Sequence, residues 1–219
     1  MMQNIQKINY DNQFLQIKSS HTNKPKLLLH VCCAPCATYC LTQLIDSFDV
    51  TLYYANDNIT DTTEWQKRLD ELKKLTKIVN DGRFVVTPSV EMKLRWKQLE
   101  SERFFTIAKG LETLPEGDLR CKECFVLRLS DACEYAKKHG FDYFATTLTV
   151  SPYKNSRLLN EIGTLMQTDN LRWLPTDFKK RDGYNKSIEL CKLYDIYRQH
   201  YCGCCFSLAQ QLANIKPQT

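Results

Sequence analysis

A short apolar run, Lys26 to Val31 (KLLLHV), breaks off directly into Cys32-Cys33-Ala34-Pro35-Cys36. This junction constrains the fold more than any other feature. The run reads as a buried strand, and Pro35 sits where a helix's first turn tolerates it, so a helix to about Ser47 comes next. The pattern then repeats. Val50–Ala55 is β-branched and aromatic, a second strand, and Thr62–Val79 carries Trp65, Leu69, Leu72 and Leu75 at helical spacing. A third strand is expected at Arg83–Thr87 and a charged helix over Met92–Ala108. Gly110, Pro115 and Gly117 mark a loop from Gly110 to Arg120. A helix from Cys121 to His139, a fourth strand at Phe141–Thr149, a helix at Asn155–Met166 and a short fifth strand at Leu171–Leu174 complete the alternation. The remainder reads as helix interrupted at Cys202-Gly203-Cys204. Strands alternating with helices predict an α/β fold, a mostly parallel sheet with helices on both faces. Ligands gather outside the carboxyl ends of strands in such sheets. The first cysteine group stands at such a place.

Cysteine usage decides the chemistry. The chain holds 11 cysteines, and its N-terminus is polar, without the apolar core of a signal peptide. Residues 1–25 read as a polar extension laid over a single catalytic domain at 26–219, with Tyr10, Phe14 and Ile17 as anchors. No apolar stretch is long enough to span a membrane, and the expected location is the cytoplasm. In a reducing compartment clustered thiols point to metal or redox chemistry rather than to a disulfide framework. Cys40, Cys133, Cys191 and Cys205 lie in or beside helical patterns and are expected to be small buried hydrophobes. The net charge of +5, from 30 Lys plus Arg against 25 Asp plus Glu, is compatible with a phosphate-rich partner without requiring one.

Three thiols in Cys32-Cys33-Ala34-Pro35-Cys36 lie between a strand end and a helix N-terminus, whose free N–H groups and dipole favour thiolates. Packing alone gives little reason for adjacent cysteines, since their side chains point apart in extended chain. Cys121 and Cys124 form a C-x-x-C at a helix start. Alone it fits a zinc half-site or a redox pair; joined to the first group it supplies the four thiolates that a 4Fe-4S cluster uses. Cys202-Gly203-Cys204 places two thiols one residue apart around a glycine that allows a sharp turn. That pair suits either a strained, easily reduced disulfide or a metal chelate.

Other candidates carry less chemistry. Thr146–Lys154 (TTLTVSPYK) leaves a strand end rich in hydroxyls with one cation. Lys179-Lys180-Arg181 is a basic triplet suited to phosphate, and Asp177 just before it is a candidate ligand or acid. Tyr194, Tyr197, Arg198 and Tyr201 interleave aromatics with a cation, a pattern that stacks on bases but more commonly packs a helix.

The segments HVCCAPC, RCKEC with RLSDACEYAKKHGFDYFATTLTVSPYKNS, DFKKRDGYNKS and YRQHYCGCCFS resemble the cobalamin-independent epoxyqueuosine reductases, the QueH type, over roughly Lys26–Leu208. The resemblance implies a Rossmann-like fold related to nucleotide α-hydrolase-like domains, with a helical cysteine-rich part. It implies reduction of epoxyqueuosine to queuosine at the tRNA wobble position, the last step of queuosine biosynthesis, with an unidentified electron donor. By the same resemblance Cys32, Cys33, Cys121 and Cys124 would hold the 4Fe-4S cluster. Cys202 and Cys204 would form an adjacent redox pair or, with Cys36, hold a second iron. The sequence departs from the family at Asn56-Asp57-Asn58, where Asn-Pro-Asn is common, and at Cys205, where an aliphatic residue is usual.

Converting an epoxide to an alkene and water takes two electrons and two protons, so a proton donor is needed; Asp177, Tyr153 and His30 are the candidates. Two other classes compete. An ATP-using tRNA sulfurtransferase would need a pyrophosphate loop where CCAPC stands, and a zinc-binding RNA module would hold zinc in place of iron.

Overall fold

The computed structural model describes residues 8–214. Five strands, β1 (Lys26–His30), β2 (Asp49–Tyr54), β3 (Lys93–Trp96), β4 (Tyr143–Thr146) and β5 (Arg172–Trp173), form one sheet in the order β3-β2-β1-β4-β5. Every pairing is parallel. The side-chain period of two divides the sheet between two cores. Leu27 and Leu29 of β1, with Val50, Leu52 and Tyr54 of β2, face helices α2 (Ala34–Leu44), α3 (Thr62–Asn80) and α7 (Gly183–Leu193). Leu28, Tyr53 and Phe144 face α5 (Leu119–Lys138) and α6 (Ser156–Met166) on the other side. This is the expected α/β architecture. The chain runs outward from β1 through β2 to β3, then returns to β4 on β1's other edge, so the strand order reverses at β1/β4. Cys32 lies just past β1 and Thr147 just past β4, and both stand at that switch point.

Several elements differ from the sequence pattern. Arg83–Thr87 forms no strand; Phe84 is buried there while Val85 is 55% exposed. The third strand lies instead within the segment expected to be one helix, as β3 followed by α4 (Ser101–Ala108). β3 is an edge strand, and the exposed Lys93 and Arg95 give it no apolar run to betray it. The fourth strand is shorter than expected, since Thr147–Val150 turns into a 3₁₀ helix capped by the Thr146 hydroxyl. Beyond α7 the chain is irregular from Tyr194 to Cys204, and α8 (Cys205–Asn214) comes after it.

The polar N-terminal stretch contains α1 (Tyr10–Ser20), and its first seven residues, like 215–219, lie outside the described residues. Phe14 is the main anchor, buried against Phe178 with ring centroids 5.7 Å apart, and Ile17 packs on the same core. Asp11 pairs with Arg181 at 3.0 Å and Lys18 donates to the Gln43 carbonyl at 2.9 Å. Phe14→Ala is expected to lower stability by about 3 kcal/mol, the usual cost of emptying a buried phenylalanine site. Denaturant melts and limited proteolysis within α1 check this.

A candidate thiol site at the switch point

The loop after β2 sets the site's frame. Asn56 donates to the Val31 carbonyl at 2.9 Å and accepts from Arg128 at 2.6 Å. Asp57, also buried, accepts from Arg103 at 2.7 Å, from Lys97 at 3.0 Å and from the Glu100 N–H at 3.0 Å. Arg103 in turn pairs with Asp131 of α5 at 2.7 Å. Asp57 thus fastens β3 and α4 to α5, and the Arg128–Asn56–Val31 chain ties α5 to the end of β1.

The sulfur atoms of Cys32, Cys33 and Cys36 lie within 4.8 Å of one another, close enough to hold one metal ion. Cys32 Sγ is 3.5 Å from Cys33 Sγ and 3.8 Å from the Thr147 hydroxyl, while Gln199 donates to Cys33 Sγ at 2.8 Å. Hydrogen bonds from Cys33 and Cys36, helped by the charges of Arg128 and Lys154, hold the Cys32 thiol well below its ordinary pKa. Cys33 moves in the opposite direction: burial and the adjacent Cys32 push it up to about 12. A second group, Cys121, Cys124, Cys202 and Cys204, lines one small cavity together with Asn58, Glu116, Arg120 and Ser207. The Gly117 N–H donates to Cys121 Sγ at 3.2 Å, and burial pushes Cys124 up to about 12.

Arg68 brings the last thiols there. It is buried on α3, ion-paired with Glu64 at 2.7 Å, and donates to the carbonyls of Cys202 at 3.0 Å and Tyr201 at 3.2 Å. Gly203 has φ +123°, and a Cβ there would stand 2.8 Å from Ile59 Cγ1, so this turn admits only glycine. The Cys202 N–H donates to the Ser207 hydroxyl at 3.2 Å, which itself donates to Glu116 at 2.9 Å. A cleft of about 670 Å³ opens over both groups; Cys32, Cys36, Cys202, Arg68, Arg128 and Lys154 lie in its wall.

The structure sorts the remaining sequence candidates. Tyr153, 74% exposed, stands at the cleft's rim, with Arg198 and Tyr201 also lining it. Asp177 is not among the cleft-lining residues; it pairs with Lys179 at 3.2 Å. His30 is likewise not among the cleft-lining residues. Its Nδ1 accepts from the Thr146 hydroxyl at 2.8 Å and its Nε2–H donates to the Ala55 carbonyl at 3.2 Å. Burial, reinforced by Arg128, pushes its pKa down to about 3 and keeps the ring neutral. Within the basic triplet, Lys179 reaches the Lys154 carbonyl at 3.3 Å and Arg181 holds α1, leaving Lys180 exposed. Tyr194 packs on Phe84 and Tyr197 reaches Glu64, both away from the cleft. Cys40, Cys133 and Cys191 are buried as expected, but Cys205 is exposed, because it opens α8 on its solvent side. Sequence reasoning missed Arg68, Arg128 and Asn56. The buried arginines sit on helices of ordinary amphipathic pattern, where a charged residue reads as surface.

Thiols from three distant chain segments at the switch point of a parallel sheet define an α/β protein with a cysteine-rich, metal-competent cleft. Its relatives make the class specific. Residues 27–210 match the family model described as epoxyqueuosine reductase QueH. The chain is 42% identical over 217 residues to the epoxyqueuosine reductase QueH of Staphylococcus epidermidis, covering 96% of this chain and 89% of that protein. It is 40% identical to the QueH of Streptococcus pyogenes serotype M1, covering 94% and 80%, and 31% identical to that of Thermotoga maritima, covering 84% and 91%. The chain belongs to the QueH family.

Arg68→Met is expected to cost about 3–5 kcal/mol, because it leaves Glu64 without its buried partner. It should also free the Tyr201–Cys204 turn, so that Cys202 and Cys204 alkylate faster while Cys40 does not. Mass-spectrometric labelling kinetics check the second outcome.

Proposed function

We propose that this chain is a cytoplasmic epoxyqueuosine reductase, acting on the wobble nucleotide of tRNA and converting its epoxide to an alkene with release of water. The observation that carries this is the meeting of three cysteine groups at one cleft, in a member of the QueH family. The donor set fits an iron–sulfur cluster. It offers clustered thiols, a Cys32 thiol already biased toward thiolate, and buried Arg128 N–H groups that face the Cys124 thiol and find no oxygen or nitrogen acceptor. Cys32, Cys33, Cys121 and Cys124 would hold a 4Fe-4S cluster, and Cys36, Cys202 and Cys204 would hold a second iron or, as the 202/204 pair, store two electrons. Such a cluster supplies electrons one at a time to the bound substrate.

The chain's own residues do the rest. The cleft admits the modified nucleotide, and the exposed Tyr153 ring at its rim offers a face on which a neighbouring base stacks. Arg198 and Lys154 bring positive charge to the phosphates. Both protons must come from the cleft wall or from water within it. With Asp177 outside the wall and His30 locked neutral, Glu116 is the one carboxylate among the described cleft-lining residues, and it stands beside Cys202 with Tyr153 as the phenolic alternative.

Alanine at Cys32, Cys33, Cys121 or Cys124 is expected to bleach the visible absorbance of anaerobically purified protein and to reduce its iron and sulfide. Full iron in all four variants would sink this ligand set, and colourless wild-type protein holding zinc would favour the RNA-binding module. Cys202→Ser and Cys204→Ser should keep the cluster spectrum yet lose turnover of epoxyqueuosine-tRNA. A relay pair predicts two fewer titratable thiols after oxidation; a second metal predicts iron beyond the cluster's own, lost in both variants. Affinity for tRNA should fall linearly in log–log with salt, and Arg198→Gln and Lys180→Ala should each shallow that slope.

A further inference from the structure

Arg128 is one of three fully buried arginines among the described residues. It lies on α5 at 1% exposure, one turn beyond Cys124 and two beyond Cys121 on the same helix face. A guanidinium cannot shed its proton, so its burial demands an anion or a full set of acceptors. The protein supplies only part of that set. Nη2 donates to Asn56 Oδ1 at 2.6 Å, and Asn56 is itself fixed to the Val31 carbonyl, one residue before Cys32. Nε and Nη1 find no oxygen or nitrogen acceptor, and the neighbouring group on their side is the Cys124 thiol. Arg128 also lines the cleft beside Cys32 and Cys202. One cation therefore touches the space claimed by all three cysteine groups and holds two N–H donors in reserve there.

We propose that Arg128, oriented by Asn56, is a positioning residue that gives its free Nε–H and Nη1–H groups and its charge to the anionic sulfur of a bound iron–sulfur cluster. This rests on the cluster reading above. The alternative, that Arg128 merely ties α5 to the β2 loop, accounts for Nη2 and leaves the other two donors unexplained. Hydrogen bonds to sulfur and nearby positive charge both favour the more negative, reduced state of a cluster, so Arg128 raises its reduction potential. Asn56 has a defined share in this: it fixes the plane of the guanidinium, which decides where the free donors point.

The test compares reconstituted wild type, Arg128→Met and Arg128→Lys. Methionine keeps much of the side chain's length without charge or donors, and lysine keeps the charge without the planar fork. The measurements are the midpoint potential by redox titration, the rate of iron release to a ferrous chelator, and far-UV circular dichroism of each apoprotein. Arg128→Met should fold as apoprotein, titrate at a more negative potential and bind iron roughly 10-fold or more weakly, the usual effect of losing an outer-shell partner. Arg128→Lys should lie between Arg128→Met and wild type. Should the methionine variant fail to fold, the lysine variant decides: a potential and iron-release rate equal to wild type would overturn the proposal, and a negative shift with faster release supports it. An iron-loaded, folded Arg128→Met protein with unshifted potential and unchanged release overturns the role of Arg128 alone. Wild-type protein that takes up no iron overturns the cluster reading and this inference with it.

Discussion

The grip of Arg68 on the carbonyls of Tyr201 and Cys202 is the contact on which the site depends. The first two cysteine groups are delivered by regular structure, one at the end of β1 and one on the first turn of α5. The third lies in an irregular stretch between α7 and α8, where no ladder of backbone bonds fixes its path. A guanidinium fork reaching two successive carbonyls, with Glu64 holding its other side at 2.7 Å, supplies that path from the side chain of another element. Thr60 reinforces it on both flanks, donating to the Gly203 carbonyl at 3.3 Å and accepting from the Cys205 N–H at 3.0 Å.

Charge and sulfur are organised together around this turn. Arg68, Arg120 and Arg128 are all buried at 1% exposure, against the strong tendency of arginine to stay at the surface. Arg120 directs one nitrogen at the carbonyls of Leu111 and Glu112 and so closes the loop before α5. Lys154, half-buried in the cleft wall, is worked on by burial, which would lower its pKa, but the neighbouring Cys202, Cys32 and Cys36 outweigh that and raise it. A cationic floor beneath clustered thiols favours their thiolate forms and any anion held among them.

The parallel sheet and the place of the cysteines were legible because both obey local rules. An apolar run ending in Cys32-Cys33 must be a strand entering a turn, and Pro35 must open the helix beyond it. β3 was not legible, since an edge strand carrying Lys93 and Arg95 buries too little to need a pattern, whereas Phe84-Val85-Val86 has strand composition without a strand's neighbours. Residue types alone also leave open where the acids and bases stand. Asp177 and His30 look chemical in sequence, yet one is committed to Lys179 and the other to Thr146 and Ala55. Asn56, Arg68 and Arg128 look like ordinary loop and helix residues, and only their three-dimensional neighbours reveal them. Membership of the QueH family gives the reaction, reduction of epoxyqueuosine, which the residues read one by one left open.

Because the site joins Cys32 to Cys204, it cannot exist on a partly synthesised chain. The ribosome releases β1 and the first thiols early, and the sheet can begin to assemble around them, but the Tyr201–Cys204 turn emerges only after every strand of the sheet. Whatever the three thiol groups hold in common must therefore be taken up after all five strands have been made. Until then Cys32, Cys33 and Cys36 stand without Cys202 and Cys204 beside them.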